Sequence, residues 1–368
     1  DHVTNKAIIL TGFDPATHTG GIETYTNALI DLLRQLKFNV QVHYADQYQN
    51  SLGLKHEWCG KLYEMGQTLS RQDDQTVRIA ILNGYYGGGY RPKRVPTCTI
   101  FHSTHAGYAE AIRDFVPRST YLSIKYMVGE MMERSAALGA KVIAVSEDVR
   151  DELRKWYGLK DVMVIPNPVD TRFFQRLTDR GALRKKLNIP SEACVGLYAG
   201  RWELAKGRDV VEKLIKEIPD IWWVLAIATG GDGPLPEGPQ IKICKEADRQ
   251  NMRELFSLAD FMIFPSRYEG FGLSPAEAMA CGLPVVGTPV GFLRSVYLQK
   301  EFASLCLPLT GKAKADAVIS KAKETIHSLM KVEMRWQRLS SEGRMFVQRV
   351  CGLESWTREM RATIHSLA

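Results

Sequence analysis

Short apolar runs alternate with longer amphipathic stretches along this chain, and that alternation leaves few folds open. Runs at residues 7–10, 40–44, 77–82, 97–101 and 142–145 read as strands. Several are continuously apolar, as strands covered by helices on both faces must be. Between them lie helix-like stretches such as 22–36, with Ile22, Leu29, Leu32, Leu33 and Leu36 on one face. Strand and helix in alternation build parallel sheets from right-handed βαβ units. The pattern breaks at IPNPVDTRFF, residues 165–174, where two prolines restrict the backbone, and a helix-forming stretch follows at 179–187. It then restarts, with strands expected at 195–198, 222–227, 241–244, 261–264 and 284–286. Two such series divided by a Pro-rich hinge predict an α/β protein of two doubly wound, Rossmann-like domains facing a cleft. The expected domains are residues 1–168 and 169–352, with a terminal helix at about 353–368 packing back on the first. Residues 311–368 read as helical throughout and carry Trp336 and Trp356.

Size and composition agree with this division. At 368 residues the chain exceeds what one core usually supports. No apolar run approaches the roughly 20 residues of a spanning helix, and no leader is expected ahead of the first strand. Seven scattered cysteines, none in a C-x-x-C pair, argue against a disulfide framework and a structural zinc site. A cytoplasmic protein is the expectation. The net charge of +7 is uneven: residues 1–168 carry 19 basic against 18 acidic side chains, and the remainder 29 against 23. The excess suits a phosphorylated ligand but is too small for nucleic acid.

Ligands of doubly wound sheets sit beyond the carboxyl ends of the strands, so motifs there matter most. The most specific is FPSRYEGFGLSPAEAMACGLPVV, residues 264–286. It reads strand, Gly-rich turn, helix and strand, with Glu269 in the turn and Glu277 on a helix capped by Ser274 and opened by Pro275. Gly270 and Gly272 let backbone amides approach a ligand, and the helix start behind them favours an anion. Glu269 is then free to meet a sugar, and Glu277 to accept hydrogen bonds from ribose hydroxyls.

Here the chain resembles the large retaining glycosyltransferase family with the GT-B fold, family 4. That family's hallmark is two glutamates seven residues apart, within E-G-F-G and E-A-M-A-x-G-x-P-V. The resemblance implies that Arg201 and Lys206, in GRWELAKG, hold the donor's phosphates. It places Glu269, Gly270, Phe271, Gly272, Leu273 and Glu277 around the donor, with Lys245 and Glu246 near its base. Gly20, Gly21 and Glu23 match the family's GGxE, with Gly21 near the donor and all three on the acceptor side. His102, in IFHSTHAG, falls where the family often has a histidine near the breaking bond, with His105 its competitor. Gly231-Asp232-Gly233-Pro234 resembles the family's G-x-G-P turn. Ser146, Glu147, Asn167 and Asp170 also match it and are assigned to cleft floor and hinge. Two departures stand out: the usual P-N-G-V-D reads PNPVD, and Lys245 replaces a common glycine.

The implied activity is transfer of a sugar from a nucleotide diphosphate, UDP or GDP first, to a sugar, lipid or small-molecule acceptor. His102, Glu269, Arg201 and Lys206 are the expected catalytic set. The departing diphosphate gains charge in the transition state, which fixed cations stabilise. No carboxylate stands out as an opposite-face nucleophile, so a double displacement lacks support, and the resemblance implies front-face displacement. No D-x-D occurs, so neither metal nor cofactor is expected. A non-catalytic nucleotide-sugar-binding protein is the alternative. An NAD-dependent oxidoreductase is disfavoured because the first turn, TGFDPATHTGG, lacks G-x-G-x-x-G. Basic and apolar residues mixed around 113–134 suggest, more weakly, association with a membrane surface.

Overall fold

The structure, a computed structural model, describes residues 5–309 and 315–368. Its contacts divide the chain into two compact units: residues up to Pro168 with Glu354–Ala368, and Val169–Leu353. Residues 311–314 of the expected terminal helical stretch lie outside the described residues.

The first unit holds six parallel strands, β1 (Lys6–Thr11), β2 (Asn39–Tyr44), β3 (Val77–Asn83), β4 (Thr97–Phe101), β5 (Lys141–Ala144) and β6 (Val162–Val164). Their spatial order is β2-β1-β3-β4-β5-β6. Ile9, Ile81 and Ile100, from neighbouring strands, are fully buried, which explains why these runs lack polar alternation. Strand β6 escaped sequence reading, because its three residues are only partly covered and carry no pattern long enough to read. The chain's last helix, Leu353–Leu367, buries Trp356, Met360 and Ile364. Trp356 meets Tyr25 edge-on, with ring centroids 5.4 Å apart, and its indole N–H donates to the Tyr25 hydroxyl at 3.3 Å.

Ser123–Glu133, in the basic and apolar stretch noted above, is wound as a π-helix. Tyr126 and Met131 are exposed on it. Its one basic residue, Lys125, is spent internally: the ammonium lies 2.5 Å from Glu110 and 4.3 Å from the Trp156 ring centre. No described helix is long and apolar enough to cross a membrane.

The second unit holds β7 (Val195–Arg201), β8 (Trp222–Ala228), β9 (Ile241–Lys245), β10 (Phe261–Phe264) and β11 (Val285–Gly287). All are parallel, in the order β11-β10-β7-β8-β9. Val169 and Gly352 pair in an isolated bridge, so the two ends of this unit run side by side.

Asp260 ties its central strands together. Its carboxylate accepts from the Val195 amide at 2.7 Å, where β7 begins, from Arg184 at 3.1 Å and from Arg180. Arg184, only 3% exposed, also donates to the carbonyls of Leu258, Ser191 and Ala193. One carboxylate thus joins the helix Arg180–Lys186 to the starts of β7 and β10. Removing it strands a buried guanidinium, which typically costs about 3–5 kcal/mol. Asp260→Ala is therefore expected to lower the unfolding free energy by about that amount in urea titration. A loss below about 0.5 kcal/mol, the size of an ordinary surface change, would contradict this account.

Candidate functional site

In an open parallel sheet, a crevice forms where successive connections leave a pair of adjacent strands in opposite directions. In the second unit that point lies between β7 and β10: from β7 the chain runs on to β8 and β9, and it returns to place β10 on the other side. The segments following these two strands carry the expected site. Arg201 is the last residue of β7, and Lys206 ends the short turn Leu204–Lys206. Glu269 follows β10.

Two loops are held against each other here. Lys206 Nζ lies 2.5 Å from Glu269 Oε1, and the Ser266 hydroxyl lies 3.0 Å from the same oxygen. Arg267 grips Asp209 with both guanidinium arms, at 2.7 and 2.8 Å. It also donates to the Leu204 carbonyl at 2.6 Å, and its amide donates to the Ala205 carbonyl. Burial pushes the Asp209 carboxyl up, but the Arg267 hydrogen bonds and charge bring it below its usual range. Gly207 closes the lysine turn in the left-handed region, with φ 76. A Cβ there would lie 2.2 Å from the Pro265 carbonyl oxygen, so only glycine lets the loops approach this closely. Sequence reading passed over Gly207, Asp209 and Arg267; the unexplained K-G after a strand was the signal for the first.

Tyr198, also unanticipated, sits at the hub. It is 1% exposed, and its hydroxyl donates to the Arg201 carbonyl at 2.5 Å. Burial raises its pKa most; the Glu269 and Glu203 carboxylates raise it further, while Arg201 and Arg208 oppose them. These four charges therefore all act on one phenol. Arg201 Nη2 lies 3.1 Å from Glu203, with 47% of its side chain exposed. Arg208 bonds Asp232 at 3.0 Å in the Gly231–Pro234 turn. That turn packs tightly: a Cβ at Gly231 would lie 2.8 Å from the Trp202 carbonyl oxygen, and the Trp202 indole donates to Pro234 at 2.9 Å.

The helix after Glu269 spans Leu273–Ala280, and its N-cap is Gly272, not Ser274 as the sequence suggested. Gly272 takes φ 87, which starts the helix two residues earlier than a serine cap would. Gly270, Phe271 and Leu273 lie in or beside this turn, and the Phe292 amide braces it by donating to the Phe271 carbonyl at 2.7 Å. Glu277 is half-buried. Among the described residues no hydrogen bond to its carboxyl is recorded, and burial pushes that group up to about 8, with Arg249 pulling the other way. Arg249 is itself paired to Asp170 at 2.8 Å. The two glutamates thus differ: Glu269 is ion-paired, and Glu277 is not. Lys245 closes β9 and pairs with Ile227. The left-handed backbone expected of a glycine falls on Glu246, at φ 50, whose carboxylate accepts from Thr229.

In the first unit, His102 follows β4, and its Nε2 lies 2.9 Å from Asn83 Oδ1. Asn83, fully buried, donates to Thr11 and Thr26, so its oxygen accepts and His102 Nε2 carries the proton. Burial pulls the imidazole down to about 3, which leaves it neutral with Nδ1 as an acceptor. His105 opens the helix His105–Ile112. Its Nδ1 lies 3.3 Å from Glu133, which is 2% exposed. Gly20 caps the helix Gly21–Gln35 with an extended backbone that any residue adopts. A Cβ on Gly20 would meet Glu23 Oε2 at 2.6 Å, so the Glu23 carboxylate folds back over this helix start; a Cβ on Gly21 would meet nothing.

Comparison with known proteins places the chain. Residues 19–173 match the model described as Glycosyltransferase Family 4, and residues 179–344 match Glycosyl transferases group 1. A D-inositol 3-phosphate glycosyltransferase of Xylanimonas cellulosilytica is 31% identical over 194 residues, 47% of this chain and 46% of that one. The chain spans about half the length of such curated relatives. Sucrose-phosphate synthase of Thermosynechococcus elongatus superposes with a TM-score of 0.76 at 20% identity, covering 98% of this chain and 99% of that one. The Anabaena protein HepE, solved with UDP-glucose, gives 0.70 at 16% identity, covering 98% and 100%. These two likenesses carry the fold, which is GT-B. With both halves matched in sequence and the whole matched in fold, the chain belongs to the group 1, family 4 glycosyltransferases.

Proposed function

We propose that this protein transfers a sugar from a nucleotide diphosphate, UDP or GDP, to an acceptor hydroxyl with retention of configuration and without a metal. The observation that carries the reading is the pairing of Lys206 with Glu269 at the β7/β10 switch point, with Arg201 and Arg208 around the same phenol. HepE, of the same fold, was solved with UDP-glucose, which supports a nucleotide-sugar donor.

The chemistry follows from the charges. As the bond from sugar to phosphate breaks, negative charge grows on the leaving diphosphate and positive charge on the ring. Lys206 and Arg201 stabilise the first. The amides of the Gly270–Gly272 turn and the helix behind them add a fixed dipole. Phosphate draws Lys206 from Glu269, which leaves that carboxylate to accept from sugar hydroxyls. Glu277, whose carboxyl accepts no hydrogen bond among the described residues, takes the ribose hydroxyls. Neutral His102 offers Nδ1 as an acceptor to the sugar. The acceptor's proton passes to a donor phosphate oxygen on the same face. The acceptor hydroxyl then bonds to the anomeric carbon as the diphosphate leaves, so the ring keeps its configuration. With cations fixed at the diphosphate, no metal is required. Weak membrane association through Tyr126 and Met131 is a secondary reading for a lipid acceptor; flotation with anionic vesicles tests it.

A cognate donor at 100 times its Kd is expected to stabilise the protein by about 2.7 kcal/mol, so thermal shift against UDP-, GDP-, ADP- and TDP-sugars identifies it. Lys206→Ala is expected to lower kcat/KM by about 10²–10³, as removal of one transition-state charge partner does. Turnover should survive exhaustive chelation; loss restored by Mg²⁺ or Mn²⁺ would refute metal independence.

Glu277 gives a pH test. Its carboxyl rises from 4.5 unfolded to about 8 folded, so across that window the folded chain holds a proton that the unfolded chain has lost. The sign follows: the full contribution is present below 4.5, and stability is lost as pH rises towards about 8. Glu277→Gln removes this dependence, so its Tm relative to wild type should climb over the same window. A difference that stays flat with pH would contradict the assignment.

A further inference from the structure

We propose that Glu203 is a built-in competitor for Arg201 that hastens release of the nucleoside diphosphate product; this rests on the glycosyl-transfer reading above. Glu203 stands two residues beyond the end of β7, directly ahead of the turn Leu204–Lys206. Its Oε1 lies 3.1 Å from Arg201 Nη2, and the side chain is 15% exposed. That oxygen is shut off from water, yet no donor among the described residues is aligned to hydrogen-bond it.

The other acids at this end are bonded differently. Glu269 meets Lys206 and Ser266, Asp209 takes both arms of Arg267, and Arg208 donates to Asp232 and Glu212. Of these five carboxylates, only Glu203 meets its cation without an aligned hydrogen bond. Holding the loop does not explain its presence. The Glu203 amide donates to the Arg201 carbonyl at 3.0 Å, and its carbonyl accepts from the amides of Lys206 and Arg208 at 3.0 and 3.3 Å. None of those bonds needs the side chain. A largely buried carboxylate is costly unless a cation offsets it, so charge alone keeps Glu203 beside Arg201.

A contact of that kind is readily exchanged. Arg201 can turn to a phosphate, which offers more negative charge and several acceptor oxygens. Doing so strips Glu203 of its counter-charge and sets two anions side by side. Every phosphate at Arg201 therefore binds against the pull of Glu203, and the opposition grows with the ligand's charge. In the nucleotide-sugar the outer phosphate is esterified, whereas the free diphosphate carries roughly one more negative charge at pH 7. Glu203 thus disfavours product more than donor, and Arg201 returns to it as the product leaves. No covalent bond changes in this exchange; only the partner of a guanidinium does.

Isothermal titration calorimetry on the full chain tests this, with UDP, GDP, ADP and TDP, their glucose conjugates and the matching nucleosides as probes. Glu203→Gln keeps the side chain's size and removes its charge. It should tighten binding of the diphosphate that wild type accepts by about tenfold, the scale of one hydrogen bond to a charged group. The nucleotide-sugar should gain less, and the nucleoside nothing. With Arg201→Gln already in place, Glu203→Gln should change little, which separates this contact from a general field of charge. Should Glu203→Gln not fold, Glu203→Asp withdraws the carboxylate by one methylene and should shift binding the same way by less. Unchanged or weaker diphosphate binding, an equal gain for the nucleoside, or a gain that survives Arg201→Gln would overturn the proposal. A diphosphate that binds wild type and variant alike sinks only the role of Glu203. If none of the four binds wild type, the donor assignment falls and this proposal with it.

Discussion

A parallel sheet covered on both faces has no surface of its own to offer a ligand, and this constraint governs both halves of the molecule. Strand residues such as Ile9, Ile81, Val224 and Ile263 are wholly buried, so chemistry is confined to the segments leaving the strands. Even there, most side chains are committed to holding loops in place. In the second unit the commitment is electrostatic: Lys206 to Glu269 and Arg267 to Asp209 lock the loop after β7 to the loop after β10. In the first unit it is aromatic, with rings from four segments leaning on one another.

A diphosphate needs cations that are already in position, and fixed pairs supply them with little reorganisation. His102 and His105 show the same economy in another form. One is buried and bonded to Asn83; the other is partly exposed beside a buried carboxylate. Their three-residue spacing puts them in different environments although the sequence treats them alike.

Much of this was legible in the sequence, because it depends on local pattern. Ten of the strands follow from apolar runs, and Phe261–Phe264 and Thr97–Phe101 have the expected bounds. The glutamate spacing and the turn glycines pointed to the family. What escaped depends on meetings between distant segments. Tyr198 reads as one more strand residue until Glu269, 71 positions later, is brought beside it. Arg267 reads as surface charge until Asp209 faces it. Ser274 resembled a cap because serine usually is one, but Gly272 reaches the left-handed region and begins the helix first. The first unit's ring cluster has no motif at all: Phe13, Trp58 and Tyr86 lie far apart in the sequence and become neighbours only in the fold.

Trp356 has a consequence for how the protein is made. It is buried in the first unit against Tyr25, which in turn touches His102 edge-on. A ribosome delivers these partners far apart in time, since the whole of Val169–Leu353 is synthesised between them. At synthesis rates of about 5–20 residues per second, the early unit waits on the order of ten seconds or more for its last helix. Until then the groove around Tyr25 is open, so the later-made unit can finish folding first even though its sequence comes second.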